Sequence, residues 1–357
     1  MALLGPILIP SNPVRGIKRS NKTSDGYLVK TRDHKCCLMK ERKNEYLSGS
    51  GLNRREFLKG LSWAATGTIF AFSGGVARAI TLGNFHTDSA RDASFSFVHL
   101  SDSHIGFSQE PNRDPAQTLR AAQSKINGLD SHVDILIHTG DLTHNSRSDE
   151  FDTFDQIIKG VNCDQRCYVP GERDALDGGG VYRSRYGKNA KGTGWYSFDH
   201  KGVHFIGLVN LPTQAGGLGT LGNDQIRWLE QDLAALKEST PIVVFSHYPL
   251  WMASKDWGWG TVEGPHVLEL LHRFGSVTAL NGHVHESMQK VEGNILFHSA
   301  RSTAYPQLPP GVAPRPEPEV VEAKDLRSLL GFTSAQHFAN DPRLAMIDTS
   351  LRFTESF

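Results

Sequence analysis

The chain has 357 residues, with 38 Lys and Arg against 38 Asp and Glu, but the charge is unevenly placed: 14 basic and 5 acidic residues fall in positions 1–79. Beyond them, 24 basic face 33 acidic residues, a formal net charge of −9. So acidic a body excludes broad binding to nucleic acid and stable binding to an anionic membrane, while about 278 residues suffice for one large domain with a sizeable core.

In chain order, residues 1–52 carry Arg15, Lys18, Arg19 and Lys22 with almost no apolar periodicity, and are expected to be a disordered or untranslated leader, with Met39 a candidate true start. Asn53-Arg54-Arg55-Glu56-Phe57-Leu58-Lys59 then precedes a mildly apolar stretch and Val76-Ala77-Arg78-Ala79, which has the small-x-small form of a cleavage site. Residues 53–79 therefore read as a twin-arginine export signal cut after Ala79. That reading implies the twin-arginine translocase as a transient partner and the periplasm or another exported location. An anchor helix is the alternative, against which count the length of the stretch and its Gly and Ser interruptions.

Past residue 80, short runs rich in Val, Ile and Phe read as buried strands. They are SFSFVHL, DILIHTG, RCYVPG, PIVVFS and SVTALNG, and each delivers metal-type residues at its downstream end: Asp102 and His104, Asp141, Glu172, His247, and His283 with His285. Between them, helical spacing predicts helices over Ala116–Leu129, Asp149–Lys159, Asp224–Lys237 and Pro265–Arg273. WYSFDH and VHFIGLVN, joined through Lys201-Gly202, read as an antiparallel hairpin, and NILFHSA as a further strand, so a second sheet is expected. The main domain is placed at 80–305. Residues 306–357 form a Pro-rich extension packing on it, whose Leu326–Phe332 and Arg343–Asp348 can return to the domain edge, and nothing in that tail suggests chemistry.

Carboxylates and imidazoles at five strand ends converge on one crevice, and clustered acids repel one another unless cations lie among them, so the pattern predicts a dinuclear metal site. Two cations about 3.5–4 Å apart can together activate a bridging water and offset transition-state charge. His247, His283 and His285 must be neutral at the nitrogen that ligates, so metal affinity should fall in acid.

Asp-x-His, Gly-Asp, Gly-Glu-Arg-Asp, His and Gly-His-x-His, in that order over about residues 95–305, resemble the motifs of the calcineurin-like metallophosphoesterase superfamily, whose usual third motif is Gly-Asn-His-Asp/Glu. The resemblance implies an α/β fold, a two-sheet α/β/β/α sandwich, holding two divalent or mixed-valence transition-metal ions. Asp102, His104, Asp141 and His285 would hold the first ion, and Asp141, His247 and His283 the second. Glu172 stands where the family has asparagine, and its added charge favours manganese or iron over zinc. The expected substrate is a small phosphate ester, with a lean to phosphodiesters resting on similarity to bacterial cyclic-nucleotide phosphodiesterases of the superfamily. A non-catalytic interaction module of the same fold is the competing reading.

Arg173 replaces the family's histidine. A guanidinium cannot be a general acid, but it can bind phosphate oxygens and stabilise transition-state charge. Alternatively it pairs with Asp174 or Asp177 at the surface. Proton delivery then falls to water or to another residue, His144 being nearest in sequence, with a supporting role behind the ligands as the other possibility. Tyr248, Trp251, Trp257 and Trp259 either stack a planar group at the pocket rim or pack against the Pro-rich tail. The Gly-rich loop 175–194 is either solvated or a lid. Cys163 and Cys167 are either bridged or two free thiols.

Overall fold

Alternation of apolar runs with segments of helical period yields alternating strands and helices, and the computed structural model describes them over residues 69–73, 76–80, 93–338 and 344–352. The leader, Cys36 and Cys37, Met39, and the Arg54-Arg55 pair lie outside the described residues. Ile69–Ser73 (β1) and Val76–Ile80 (β2) pair as an antiparallel ribbon, so the downstream end of the signal-like stretch is extended. No helix among the described residues is long and apolar enough to cross a membrane.

The first sheet starts from Ala93–Leu100 (β3), Val133–His138 (β4) and Cys163–Tyr168 (β5), which run parallel. Their crossovers are Pro115–Asn127 (α1) and Ser148–Ile158 (α2). α1 begins where the sequence dictates: Asp114 accepts from the Gln117 amide and Pro115 opens the first turn. Its buried stripe, Leu119, Ala122 and Ile126, lies in one cluster with Val98 and Leu136 from the sheet and Phe151 and Phe154 from α2.

The second sheet comprises Tyr196–His200 (β6), Val203–Gly207 (β7), Ile242–Ser246 (β8), Val277–Asn281 (β9), Gln289–Glu292 (β10) and Ile295–Ser299 (β11), in the order β10-β11-β9-β8-β7-β6. The β6–β7 hairpin turns on Lys201 and Gly202, both at positive φ as a tight hairpin requires. Asn223–Ala234 (α4) and Gly264–Leu271 (α5) cover its outer face through Leu229, Leu233, Val267 and Leu271. Phe97, Ile135, Ile137 and Val169 meet Val203, Phe205, Val243 and Phe245 between the sheets. Each such side chain contributes about 1.5–3 kcal/mol when fully buried, so this core fixes one sheet against the other. The result is the helix–sheet–sheet–helix sandwich expected.

Two local features depart from expectation, and the cysteine alternative is resolved. Leu326–Leu329 belongs to a helix, Ala323–Leu329 (α6), followed by Gly331–Phe338 (β12) and Leu344–Ser350 (β13). β12 is not an edge: the first sheet runs β13-β12-β3-β4-β5, with β12 antiparallel to β3. Inside the Gly-rich loop, Gly180–Tyr186 forms a short helix (α3), anchored on α2 by Tyr186 to Asp155 at 2.8 Å and by Arg185 to Asp152 and Asp155 at 2.8 and 3.1 Å. Cys163 and Cys167 are both free and share the extended β5, where four residues span roughly 13 Å, too far for a disulfide.

Candidate metal centre

Every predicted ligand sits just beyond a strand: Asp102 and His104 after β3, Asp141 after β4, Glu172 after β5, His247 after β8, and His283 and His285 after β9. Five of them, Asp102, His104, Asp141, His283 and His285, have left-handed backbones with φ of 40–66°, and they make up most of the non-glycine residues at positive φ among those described. This conformation costs such residues about 1 kcal/mol or more each, and strain of that kind persists where the surroundings over-determine it for function. Glycines let the loops approach. A Cβ at Gly171 would collide with Asp141 Oδ1, and one at Gly282 with Ser101 Oγ.

The ligand-type atoms fall into two groups sharing Asp141. In the first, His285 Nε2 lies 3.2 Å from His104 Nε2 and 3.3 Å from Asp102 Oδ1, and His104 Nε2 lies 3.5 Å from Asp141 Oδ2. In the second, His247 Nε2 lies 3.6 Å from the same Asp141 oxygen and 2.8 Å from Glu172 Oε2, while His283 Nδ1 is 3.5 Å from Glu172 Oε1. Ligands about 2.0–2.2 Å from a transition metal stand roughly 3.0–3.5 Å apart, so these spacings fit a metal pair. The far nitrogens are already committed: His247 Nδ1 hydrogen-bonds the Thr139 carbonyl and His285 Nδ1 the Tyr305 carbonyl, both at 2.7 Å, which directs each Nε2 inward. The buried atoms His247 Nε2 and Glu172 Oε2 face each other yet have no hydrogen bond of acceptable geometry, as expected of groups that bind something else.

Charge tells the same story. Burial, then repulsion from Glu172, pushes the Asp141 carboxyl well above its usual range. Burial would raise Glu172 too, but His283 and His247 outweigh it and hold it well below. Burial would lower His247, yet Asp141 and Glu172 raise it well above the usual histidine value. His104 goes the other way, lowered by burial and by His285.

Arg173 lies in a short turn, Glu172–Asp174, and lines a cavity of about 940 Å³ that opens onto His104, Asp141, Glu172, His283 and His285. Its two candidate carboxylate partners are engaged elsewhere. Asp174 is fully buried and accepts from the amides of Gly171, Leu142 and Thr143 and from the Thr143 hydroxyl. Asp177 accepts from the amides of Gly179 and Val181. Arg173's own amide donates to Asp141 Oδ1 at 2.8 Å, which leaves Oδ2 facing both histidine groups. His144 is elsewhere: it is not among the cavity-lining residues, and its Nδ1 lies 3.2 Å from His104 Nδ1. Burial, then the Arg173 charge, pushes it down to about 4.

The aromatic loop serves packing and pocket together. Trp257 and Trp259 cluster with Ala313 and Leu308 of the Pro-rich segment, while Trp257 and Tyr248 also line the cavity. That segment contributes Gln307 and Arg315–Pro318 to the same wall. Tyr305, which motif reading passes over, stacks on His104 with ring centres 4.9 Å apart, 6% exposed.

Sandwich and paired ligand groups together define a metallophosphoesterase-type site. A family model described as calcineurin-like phosphoesterase matches residues 95–287, and the chain belongs to that family. A protein of Fibrobacter succinogenes named "Probable cyclic nucleotide phosphodiesterase" is 28% identical over 155 residues, 42% of this chain, and the chain spans 55% of that relative's length. Among solved structures, a dimetal phosphatase from Danio rerio is 16% identical with a TM-score of 0.52, covering 73% of this chain and 98% of its own. The purple acid phosphatase PPD1 of yellow lupin, Lupinus luteus, is 16% identical with a TM-score of 0.51, covering 72% of this chain and 51% of its own. Both likenesses concern the fold.

Proposed function

We propose that this member of the calcineurin-like family is a metal-dependent hydrolase of phosphate esters, leaning to phosphodiesters, with a dinuclear centre. The observation that carries the reading is the single oxygen Asp141 Oδ2, 3.5 Å from His104 Nε2 and 3.6 Å from His247 Nε2, because a carboxylate shared between two imidazole groups is what a metal pair needs as a bridge. Asp102, His104, Asp141 and His285 would hold one ion, and Asp141, Glu172, His247 and His283 the other. Bound there, manganese, iron or zinc ions would supply a nucleophilic water at neutral pH and neutralise phosphate charge.

The chain's residues do the rest. The Thr139 and Tyr305 carbonyls orient His247 and His285, the Arg173 amide fixes Asp141, and the Arg173 guanidinium, with neither nearby carboxylate to hold it, binds non-bridging phosphate oxygens. Since arginine keeps its proton, esters of acidic phenols are favoured over esters of ordinary alcohols. The diester lean draws on the Fibrobacter relative and on a cavity large enough for an ester arm beyond the reacting phosphorus.

The test is turnover of aryl phosphomonoesters and phosphodiesters by the metal-loaded protein. Arg173→Ala should keep both metals and lose about 10²–10³ in kcat/KM, and Arg173→His should flatten the leaving-group dependence. Full activity of Arg173→Ala on every ester would remove Arg173 from the mechanism, and no turnover by the unaltered protein would favour the interaction-module reading. We further propose export through the Arg54-Arg55 signal. Replacing both arginines with lysine should trap a folded, longer precursor in the cytoplasm, a result read by fractionation, and unchanged export refutes it.

A further inference from the structure

Tyr305 lies eighteen residues beyond the family-matched segment and is held at the centre of the site. Its ring contacts His104, His285 and Phe107 at centroid distances of 4.9, 4.5 and 4.4 Å, its carbonyl accepts from His285, and its hydroxyl is 3.3 Å from His104 Nε2. The backbone carrying it is stitched to the first ligand loop. Ser302 Oγ donates to the Asp102 carbonyl at 2.8 Å and accepts from the Ala304 and Tyr305 amides, the Thr303 hydroxyl meets Ser103 Oγ at 3.0 Å, and Asn112 donates to the Ala304 carbonyl at 2.7 Å. A side chain supported on every side and lining the cavity is pre-organised for contact with whatever binds there.

Resting on the proposed phosphoesterase activity, we infer that Tyr305 is a catalytic residue whose hydroxyl donates a hydrogen bond to a phosphoryl oxygen of the substrate at the His104–His285 side of the site. The acceptor nearest that hydroxyl is His104 Nε2, the nitrogen that would ligate the metal. Once that lone pair is committed, the O–H must find another acceptor, and the cavity in front of it is where the phosphate enters. Arg173 supplies charge from the Glu172 side, and Tyr305 supplies a neutral donor from the opposite side.

The experiment compares the metal-loaded protein with Tyr305→Phe, which keeps the ring, and Tyr305→His, which keeps a planar ring with an N–H donor. Three quantities are read: metal content, kcat/KM on 4-nitrophenyl esters, and the inhibition constant of inorganic phosphate. Tyr305→Phe should retain both metals, lose about 10–100-fold in kcat/KM and weaken phosphate inhibition by a similar factor, the size of one hydrogen bond to a charged group. Tyr305→His should recover part of both losses. Unchanged turnover and phosphate affinity in Tyr305→Phe, equal losses in the two variants, or loss of metal in Tyr305→Phe would each overturn the assignment. Absence of turnover and of phosphate binding in the unaltered protein would instead sink the phosphoesterase reading itself.

Discussion

Asp102, His104 and His285 are at most 2% exposed, whereas in the facing group His283 and Glu172 are 14% and 29% exposed. The closed group is tied to the Ser302–Tyr305 turn and holds His104, whose pKa is lowered by burial and by His285. The open group holds the buried His247, whose pKa Asp141 and Glu172 raise, and contains both departures from the usual family motif, Glu172 and, beside it, Arg173. The two groups thus differ in burial, while both contribute side chains to the same cavity wall.

Asp141→Asn tests whether the halves are one unit, and should have the largest effect. Losing the shared oxygen should release both ions and lower turnover by at least about 10³-fold, as metal analysis and kinetics would report. Retention of either ion at full occupancy would mean that the halves assemble independently. The metal-free variant should also melt higher than the metal-free parent. A carboxyl whose folded pKa is raised above its unfolded value destabilises the fold at pH above that unfolded value, and asparagine removes this cost. Each kcal/mol relieved shifts Tm by about 2–4 °C.

Glu172→Asn sharpens the contrast with a smaller effect. It restores the usual family residue and should weaken one ion by about 10–100-fold while leaving the other in place, as stepwise metal titration would detect. The same titration run against pH distinguishes the halves further. His247 has a raised pKa and must shed its proton to ligate, so affinity in the open half should climb as pH rises toward that value and level off above it. His104, already neutral, makes the closed half less pH-dependent near neutrality. Removing Glu172, which helps hold the His247 proton, should flatten the climb, and identical pH profiles for both ions would erase the distinction.

The clustering of these acids and histidines was legible because each follows a strand, and strands announce themselves as short apolar runs. Their left-handed backbones were not, since local preference at such φ is for glycine or asparagine and only the assembled loops impose it on Asp102 or His285. Helices α1 and α2 were readable to within two residues from their apolar stripes. α3 was hidden by the glycines around it, and its hold on α2 through Tyr186 and Arg185 is non-local. Tyr305 carried no signal: a lone tyrosine ahead of a Pro-rich stretch matches no motif, and it reaches His104 from 201 positions away.

β12 enters the first sheet against β3, and that placement bears on self-association. A chain ended at the last motif would leave the whole flank of β3 unpaired, with the apolar run SFSFV offering its amides and carbonyls to any passing strand. Exposed, flat and apolar flanks of this kind pair with copies of themselves. Residues 331–338 thus cover the free flank of the strand that presents Asp102, so a chain lacking them should self-associate, as light scattering would report.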